Sequence, residues 1–284
     1  MINNSSLLKL NNSDIIIPLI MYSAIYFVNP LIGIIFLSFY LLSFNMQNKK
    51  LFFTLYAFIA LYFGLLNSTK VPQSDLINYK MYFYRASYTS FSNYISQYKI
   101  EIFYYAITYF LNKIFSGNFK SYIILITFIQ YYLVLIAIHK FWKDETKQIL
   151  LFAIFIYSLN NSVFGYSIHL LRQMTAASIF IYFFVEKTVN NRIKWPLIII
   201  ALLIHTSVGL LFLISFIPMQ KKRLTIKKII MLLILLIFIL FFGSVLFNFL
   251  VRFIKGNIIL KYILMRAQTL PQLEFSWYKG KGVN

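Results

Sequence analysis

Residues 148–185 read QILLFAIFIYSLNNSVFGYSIHLLRQMTAASIFIYFFV and carry one full charge, on Arg172. A second run, residues 229–251, reads IIMLLILLIFILFFGSVLFNFLV and carries no charge. Apolar runs of roughly 18 or more residues are long enough to cross a lipid bilayer as helices. Strands of a membrane barrel alternate polar and apolar residues, which these runs do not. The two stretches therefore predict a helical integral membrane protein.

The composition of the whole chain agrees with this class. Of its 284 residues 60% are hydrophobic and 12% are charged, whereas a soluble domain is roughly half apolar and about a quarter charged. The formal net charge of +20 comes largely from short links between apolar runs, which is typical of cytoplasmic loops and argues against nucleic acid as a partner. The absence of cysteine excludes disulfides and Cys-ligated metals. The polar N-terminus predicts no removable signal peptide.

The hydropathy pattern predicts an all-α polytopic bundle of about eight to nine membrane segments, including short half-helices. We treat residues 1–284 as a single transmembrane domain, because no repeat or linker divides them. Residues 102–116 form a shorter apolar stretch. The expected membrane helices cover about 15–45 (interrupted at Asn29-Pro30), 51–67, 119–139, 148–161, 166–186, 195–218 and 229–250.

Four basic links predict the orientation, because such links stay in the cytoplasm. They hold Lys49 and Lys50; Lys140, Lys143 and Lys147; Lys187, Arg192 and Lys194; and Lys221, Lys222, Arg223, Lys227 and Lys228. With all four inside, residues 102–116 are interfacial or re-entrant, and residues 195–218 turn back near His205. A single crossing at 195–218 is the simpler helix, but it leaves the fourth link outside.

This topology makes residues 68–100 the largest external loop, and the turn at 161–166 and His205 also face outward. Pro30 either kinks one long helix or separates two short ones, and that choice leaves the side of the N-terminus open.

Arg172 and His205 are the first candidates for a functional site. An arginine inside an apolar helix is costly and by default faces a cavity, and its fork of donors suits phosphate. The alternative is an arginine that reaches back to the interface. Neutral imidazole accepts a proton from a hydroxyl near pH 7, although His205 is alternatively a satisfied histidine at a helix turn.

Further candidates come from the scarcity of polar groups. Glu101 is either a base or an interfacial anchor, and Asp75 either binds sugar hydroxyls or caps a loop helix. Asn78 and Tyr79 fall within one helical turn of Asp75. His169, three residues before Arg172, is expected to share its face, with Gln173 beside it, and a packing role for His169 is at least as good an interpretation.

No nucleotide-binding, hydrolase or metalloprotease motif occurs in the chain. We therefore expect no cofactor, no ATP-driven transport and no metal site.

Four stretches in order carry a family resemblance. They are SDLINY at 74–79, EIFYYAITYFLNKI at 101–114, IHLLRQMTAASIF at 168–180 and LLIHTSVGLLFLI at 202–214. Over roughly residues 50–220 the chain resembles the EpsG-like group of Wzy-type bacterial polysaccharide polymerases, which act on O-antigen, capsule or exopolysaccharide.

The resemblance implies a membrane glycosyltransferase at the outer face of the bacterial cytoplasmic membrane. Its donor and acceptor are glycan repeat units on undecaprenyl pyrophosphate, with a chain-length regulator as a candidate partner. By position, Asp75, Glu101, Arg172 and His205 resemble the recurring polar residues of the family. We expect Arg172 to bind the donor pyrophosphate and His205 or Glu101 to take the proton of the acceptor hydroxyl. We expect the substrate-binding residues to be Asp75, Asn78 and Tyr79, which would position a sugar, with His169 and Gln173. A flippase for the same lipid-linked unit and a non-catalytic membrane subunit of an assembly system are the alternatives.

Overall fold

The computed structural model describes residues 13–43, 49–98 and 101–214, all in one compact unit that ends at Pro218. These ranges contain twelve α-helices and no strand, which confirms the all-α class. The helices are α1 (Ser13–Val28), α2 (Pro30–Ser43), α3 (Lys49–Ser68), α4 (Asp75–Tyr88), α5 (Phe91–Ile95), α6 (Ile102–Ile114), α7 (Phe119–Phe141), α8 (Lys147–Ser158), α9 (Asn161–His169), α10 (Leu171–Asn190), α11 (Trp195–Ile204) and α12 (Val208–Ile214).

The central helix is α7, which packs along both α3 and α10. The Tyr56 hydroxyl lies 2.7 Å from His139 Nδ1, and at the opposite ends of α3 and α7 the Asn67 side-chain amide donates to Thr127. The two helices are therefore antiparallel.

Helices α7 and α10 run in the same direction. The Gln130 amide donates to the Thr175 hydroxyl at 3.0 Å, and further along both helices Lys140 contacts Glu186. The segment between them must therefore return the chain across the bundle. It does so as α8 and α9, which are bent by 51° at the break between them.

Two apolar cores flank α7. Buried residues of α4, α5, α6, α10 and α11 pack against its first half, where Phe119, Tyr122 and Ile126 lie. Buried residues of α1, α2, α3 and α8 pack against its second half, around Tyr131 and Leu135. The side chains of the first core surround the candidate functional site.

The N-terminal apolar stretch forms two short helices, which settles the choice at Pro30. The Asn29 side chain accepts hydrogen bonds from the backbone N–H groups of Leu31 and Ile32 at 3.1 and 3.2 Å, and Pro30 opens α2. Helix α2 folds back on α1, because Tyr22 contacts Tyr40 with ring centroids 5.3 Å apart.

The stretch after Trp195 also folds back, as expected. Helix α11 ends at Ile204, His205 adopts an extended backbone, and α12 begins at Val208. The Trp195 and Phe212 rings, near the two far ends, are 6.1 Å apart. Up to Ile214 this is a helical hairpin with His205 at its turn.

The number of full-length spans is lower than the eight or nine segments expected. Among the described residues, Lys49–Ser68 and Phe119–Phe141 are long and apolar enough to cross a membrane, and the bent pair Lys147–Ser158 and Asn161–His169 is a third if it counts as one span. The reason is that α1, α2 and α11 are each too short for a bilayer of roughly 30 Å. The predicted helix at 229–250 lies outside the described residues.

Candidate functional site

Glu101 occupies the N-cap position of α6, with φ 61° and ψ 32°. This left-handed conformation is uncommon for a residue with a side chain and costs roughly 1–3 kcal/mol. The residue is also 93% buried, since only 7% of its surface is exposed. A strained and buried carboxylate persists only where surrounding contacts hold it.

Those contacts come from Arg172 and His205. Arg172, in the first turn of α10, forms an ion pair through Nη1 with Glu101 Oε2. His205 Nδ1, at the turn after α11, lies 2.5 Å from Glu101 Oε1. One carboxylate thus bridges a guanidinium and an imidazole from two other helices. These three residues, the ionic cluster below, are those expected to be catalytic.

A shell of tyrosine rings surrounds the Arg172 guanidinium. Its Cζ lies 5.6, 5.8 and 5.9 Å from the ring centroids of Tyr79, Tyr104 and Tyr105, within range of cation–π attraction. Nη1 also donates to the Tyr105 hydroxyl at 3.2 Å. Tyr98 stacks on Tyr105 with ring centroids 3.5 Å apart. The rings hold the guanidinium in place.

Two residues of α7 hold the surroundings of this shell. The Tyr122 hydroxyl lies 2.8 Å from that of Tyr104 and 3.2 Å from that of Thr108. The Gln130 side chain donates to the Leu171 carbonyl at 3.2 Å, which fixes the start of α10 beside Arg172. Helix α7, the longest of the described helices, therefore positions the cluster.

The parallel register of α7 and α10 gives the depth of the cluster. Thr175 is level with Gln130, so Arg172, three residues earlier, is level with Thr127. Thr127 comes eight residues after Phe119, the first residue of α7, which is about 12 Å along the helix at about 1.5 Å per residue. The cluster lies inside the bundle, nearer the end at which α7 and α10 begin.

The remaining predicted residues differ in how close they lie to the ionic cluster. Tyr79 joins the cluster, and burial raises the pKa of its phenol while the charge of Arg172 partly offsets this. Gln173 is half-buried, in the first turn of α10. Asp75 and Asn78 are exposed, in the first turn of α4. Their predicted sugar contact stays a prediction.

His169 requires a correction. The helix ends at His169 and restarts at Leu171, because Leu170 adopts φ −118° and ψ 47°. His169 and Arg172 therefore do not share the face of one helix, and residues 161–166, expected to be a turn, belong to helix α9. His169 Nδ1 is buried and has no hydrogen-bond partner among the described residues.

Tyr104 and Tyr105 are site residues that sequence reasoning did not single out. Both belong to the FYY segment of α6, one turn after Glu101, and this proximity was a usable signal. In a chain with 22 tyrosines, however, it does not distinguish them from interfacial residues.

Within the described ranges no group of three or more His, Cys, Asp or Glu side chains forms a metal site.

A bundle of apolar helices with a buried carboxylate, guanidinium and imidazole at one end defines a membrane protein with a polar site enclosed by its helices. The model of the EpsG family matches residues 50–269, a range that includes the whole cluster. The chain belongs to the EpsG family, and this membership associates it with polysaccharide biosynthesis at a membrane. No curated protein and no solved structure matches it.

Proposed function

We propose that the protein is a polysaccharide polymerase of the outer face of the bacterial cytoplasmic membrane, crossing it several times. It joins oligosaccharide repeat units carried on undecaprenyl pyrophosphate. The observation that carries the proposal is the bridge from Glu101 to both Arg172 and His205. Glycosyl transfer from a pyrophosphate needs a cation for the leaving group and a base for the acceptor, and the bridge brings these two groups together.

Arg172 is the residue that would bind the donor pyrophosphate. A guanidinium has five N–H donors. In Arg172 those on Nη1 face Glu101 and Tyr105. Its Nε is buried and has no hydrogen-bond partner among the described residues. Arg172 therefore retains donors for phosphate oxygens while Glu101 holds it in position. A fixed positive charge replaces the metal ion that many phosphate-leaving reactions use.

His205 is the better placed of the two candidate bases. Its Nδ1 faces Glu101, so Nε2 is the nitrogen left for a substrate. A carboxylate that orients one imidazole nitrogen while the other takes a proton is a recurring catalytic arrangement. Glu101, which is paired with the Arg172 guanidinium, is a weaker base and acts by orienting His205.

The proposed reaction transfers the donor glycan from its pyrophosphate to the acceptor hydroxyl. The acceptor hydroxyl gives its proton to His205, and its oxygen bonds to the anomeric carbon of the donor. The bond from that carbon to the pyrophosphate oxygen breaks, and undecaprenyl pyrophosphate leaves with the electron pair. Arg172 stabilises the charge that develops on it, and His205 then releases its proton to solvent.

Elongation of lipid-linked repeat units by the purified protein tests the proposal. We expect the unaltered chain to lengthen the glycan, and Arg172→Ala and His205→Ala each to lower the rate by about 100-fold or more, the scale of acid–base and electrostatic contributions. A flippase would move the same lipid across a vesicle membrane without lengthening the glycan. Normal elongation by both variants would remove the assignment of these residues.

A further inference from the structure

A second polar site lies on the other side of α4. A cavity of about 290 Å³ opens between the end of α3, α4 and the start of α7, a volume near the lower end for ligand pockets. Its lining includes Lys70, Lys80 and Lys120, together with Asn67 and Asn118. No carboxylate is among its lining residues.

The three lysines are not neutralised by the protein. Among the ion pairs of the described residues, none involves Lys70, Lys80 or Lys120. Lys70 instead lies over the Phe164 ring, with Nζ 3.5 Å from its centroid, and burial lowers the pKa of its ammonium. Three lysines around one cavity that no carboxylate lines repel one another, and a bound anion would relieve that repulsion.

Helix α4 is a wall common to this cavity and the ionic cluster. Leu76, Lys80 and Tyr84 recur at four-residue spacing and line the cavity. Tyr79 lies on an adjacent face and contacts Arg172. A polymerase holds two lipid-linked units at once, and each carries a pyrophosphate. The ionic cluster offers a single guanidinium, already paired with Glu101, which suits one of them.

We propose that this lysine-lined cavity binds the pyrophosphate of the second lipid-linked unit. The inference rests on the proposed function and adds a second anion site to it. The ligand is a pyrophosphate diester, whose two negative charges match a cavity that three lysines line. The two substrates would then lie on opposite faces of α4, with the acceptor glycan free to reach His205.

Binding of a polyprenyl pyrophosphate without sugar tests the inference, because it requires no catalysis. In nanodiscs of phosphatidylcholine, calorimetric titration should show two sites per chain. The triple variant Lys70→Gln/Lys80→Gln/Lys120→Gln should lose one site, with affinity there weakened about ten-fold or more, and Arg172→Ala should lose the other. Lys113→Gln is the matched control, because this lysine is exposed on α6, outside the cavity, and should keep both sites.

The outcomes separate this inference from the proposed function. Two sites in the triple variant would overturn the inference, even if the unaltered chain elongates glycans. Single variants serve the same purpose should the triple variant fail to fold. If the unaltered chain instead binds the probe at two sites but does not elongate glycans, the proposed function is contradicted. Phosphatidylglycerol added to the nanodisc tests the other source of phosphate. If its affinity for the cavity equals that of the probe, the cavity is a lipid headgroup site and the assignment to substrate is overturned.

Discussion

At the scale of single residues, Glu101 has the most unusual position in the described structure. It combines a left-handed backbone, burial and contact with two basic side chains. A free buried carboxylate would be costly, and Arg172 and His205 offset that cost. The same contacts hold both side chains against the Glu101 carboxylate, so that the substrates of a transfer reaction would meet beside it.

The variant Glu101→Gln tests this role, because it keeps the shape of the side chain and removes its charge. We expect the elongation rate to fall by about 100-fold or more, since His205 loses the group that orients it. Removing one partner of a buried ion pair also costs about 3–5 kcal/mol of folding free energy, so thermal unfolding in detergent should shift as well.

Tyr104→Phe is the control for Glu101→Gln, because it keeps a ring beside Arg172 while removing only a neutral hydroxyl. Its elongation rate should stay within about three-fold of the unaltered chain, as the loss of one neutral hydrogen bond predicts. Equal rates for Glu101→Gln and the unaltered chain would show that the carboxylate has no part in the reaction.

At the scale of helices, breaks are as informative as spans. Besides the bend between α8 and α9, the chain interrupts its apolar segments at three single residues, Asn29, Leu170 and His205. Half-helices are tolerated at membrane depth where protein encloses them or they line a cavity. Two of the three breaks bring polar residues to the site, because Arg172 follows one and His205 forms another.

The packing of α3 on α7 depends on Gly64. A Cβ atom there would lie 2.8 Å from the backbone oxygen of Ile124, and close approach through small residues is how membrane helices pack. We expect Gly64→Ala to destabilise the protein by about 1–3 kcal/mol, measured by thermal unfolding in detergent. Gly165→Ala is the matched control, since nothing lies within 4 Å of its Cβ position. Equal stability of the two variants would contradict the close approach.

A buried ion pair joins the far ends of α7 and α10. Glu186 is buried and contacts Lys140, and more loosely Lys194, whose Nζ is 3.4 Å away. We expect Glu186→Gln to lower stability by about 1–3 kcal/mol without lowering the affinity for the sugar-free polyprenyl pyrophosphate. Lys194→Gln should change stability by less than about 1 kcal/mol, because its side chain is 41% exposed. The reverse order of effects would show that Lys194 is the principal partner.

At the scale of the whole molecule, the ends of the long helices show where the basic links lie. Helix α3 begins at Lys49, and α7 and α10 end near Lys140 and Lys187. Because α3 is antiparallel to α7 and α10 is parallel to it, three of the four basic links lie at one end. The ionic cluster lies toward the other end, which is the arrangement that an outward-facing site requires.

The absence of cysteine makes this orientation directly testable. Single cysteines at Ser92, Asp144 and Arg192 occupy exposed positions in three different connections. A membrane-impermeant thiol reagent added to intact cells should label Ser92→Cys, and label Asp144→Cys and Arg192→Cys only after permeabilisation. Labelling of all three from outside, or of Ser92→Cys only from inside, would contradict the proposed orientation.

The amino-acid sequence by itself determined the class of the protein and most of its site residues. Hydropathy is a local property, so long apolar runs identify membrane helices without knowledge of their neighbours. Charge in such runs is rare enough that Arg172, Glu101 and His205 stand out individually. The order of four short stretches was sufficient to indicate the EpsG family.

Only the tertiary structure decided which of these groups meet. Glu101 and Arg172 are 71 residues apart in the chain, and their contact depends on the register of α6 against α10, which no local pattern encodes. The break at Leu170, the parallel course of α7 and α10, and the choice of Tyr79, Tyr104 and Tyr105 among many tyrosines have the same origin. Each follows from how helices pack in three dimensions, whereas hydropathy and charge describe only what each segment prefers alone.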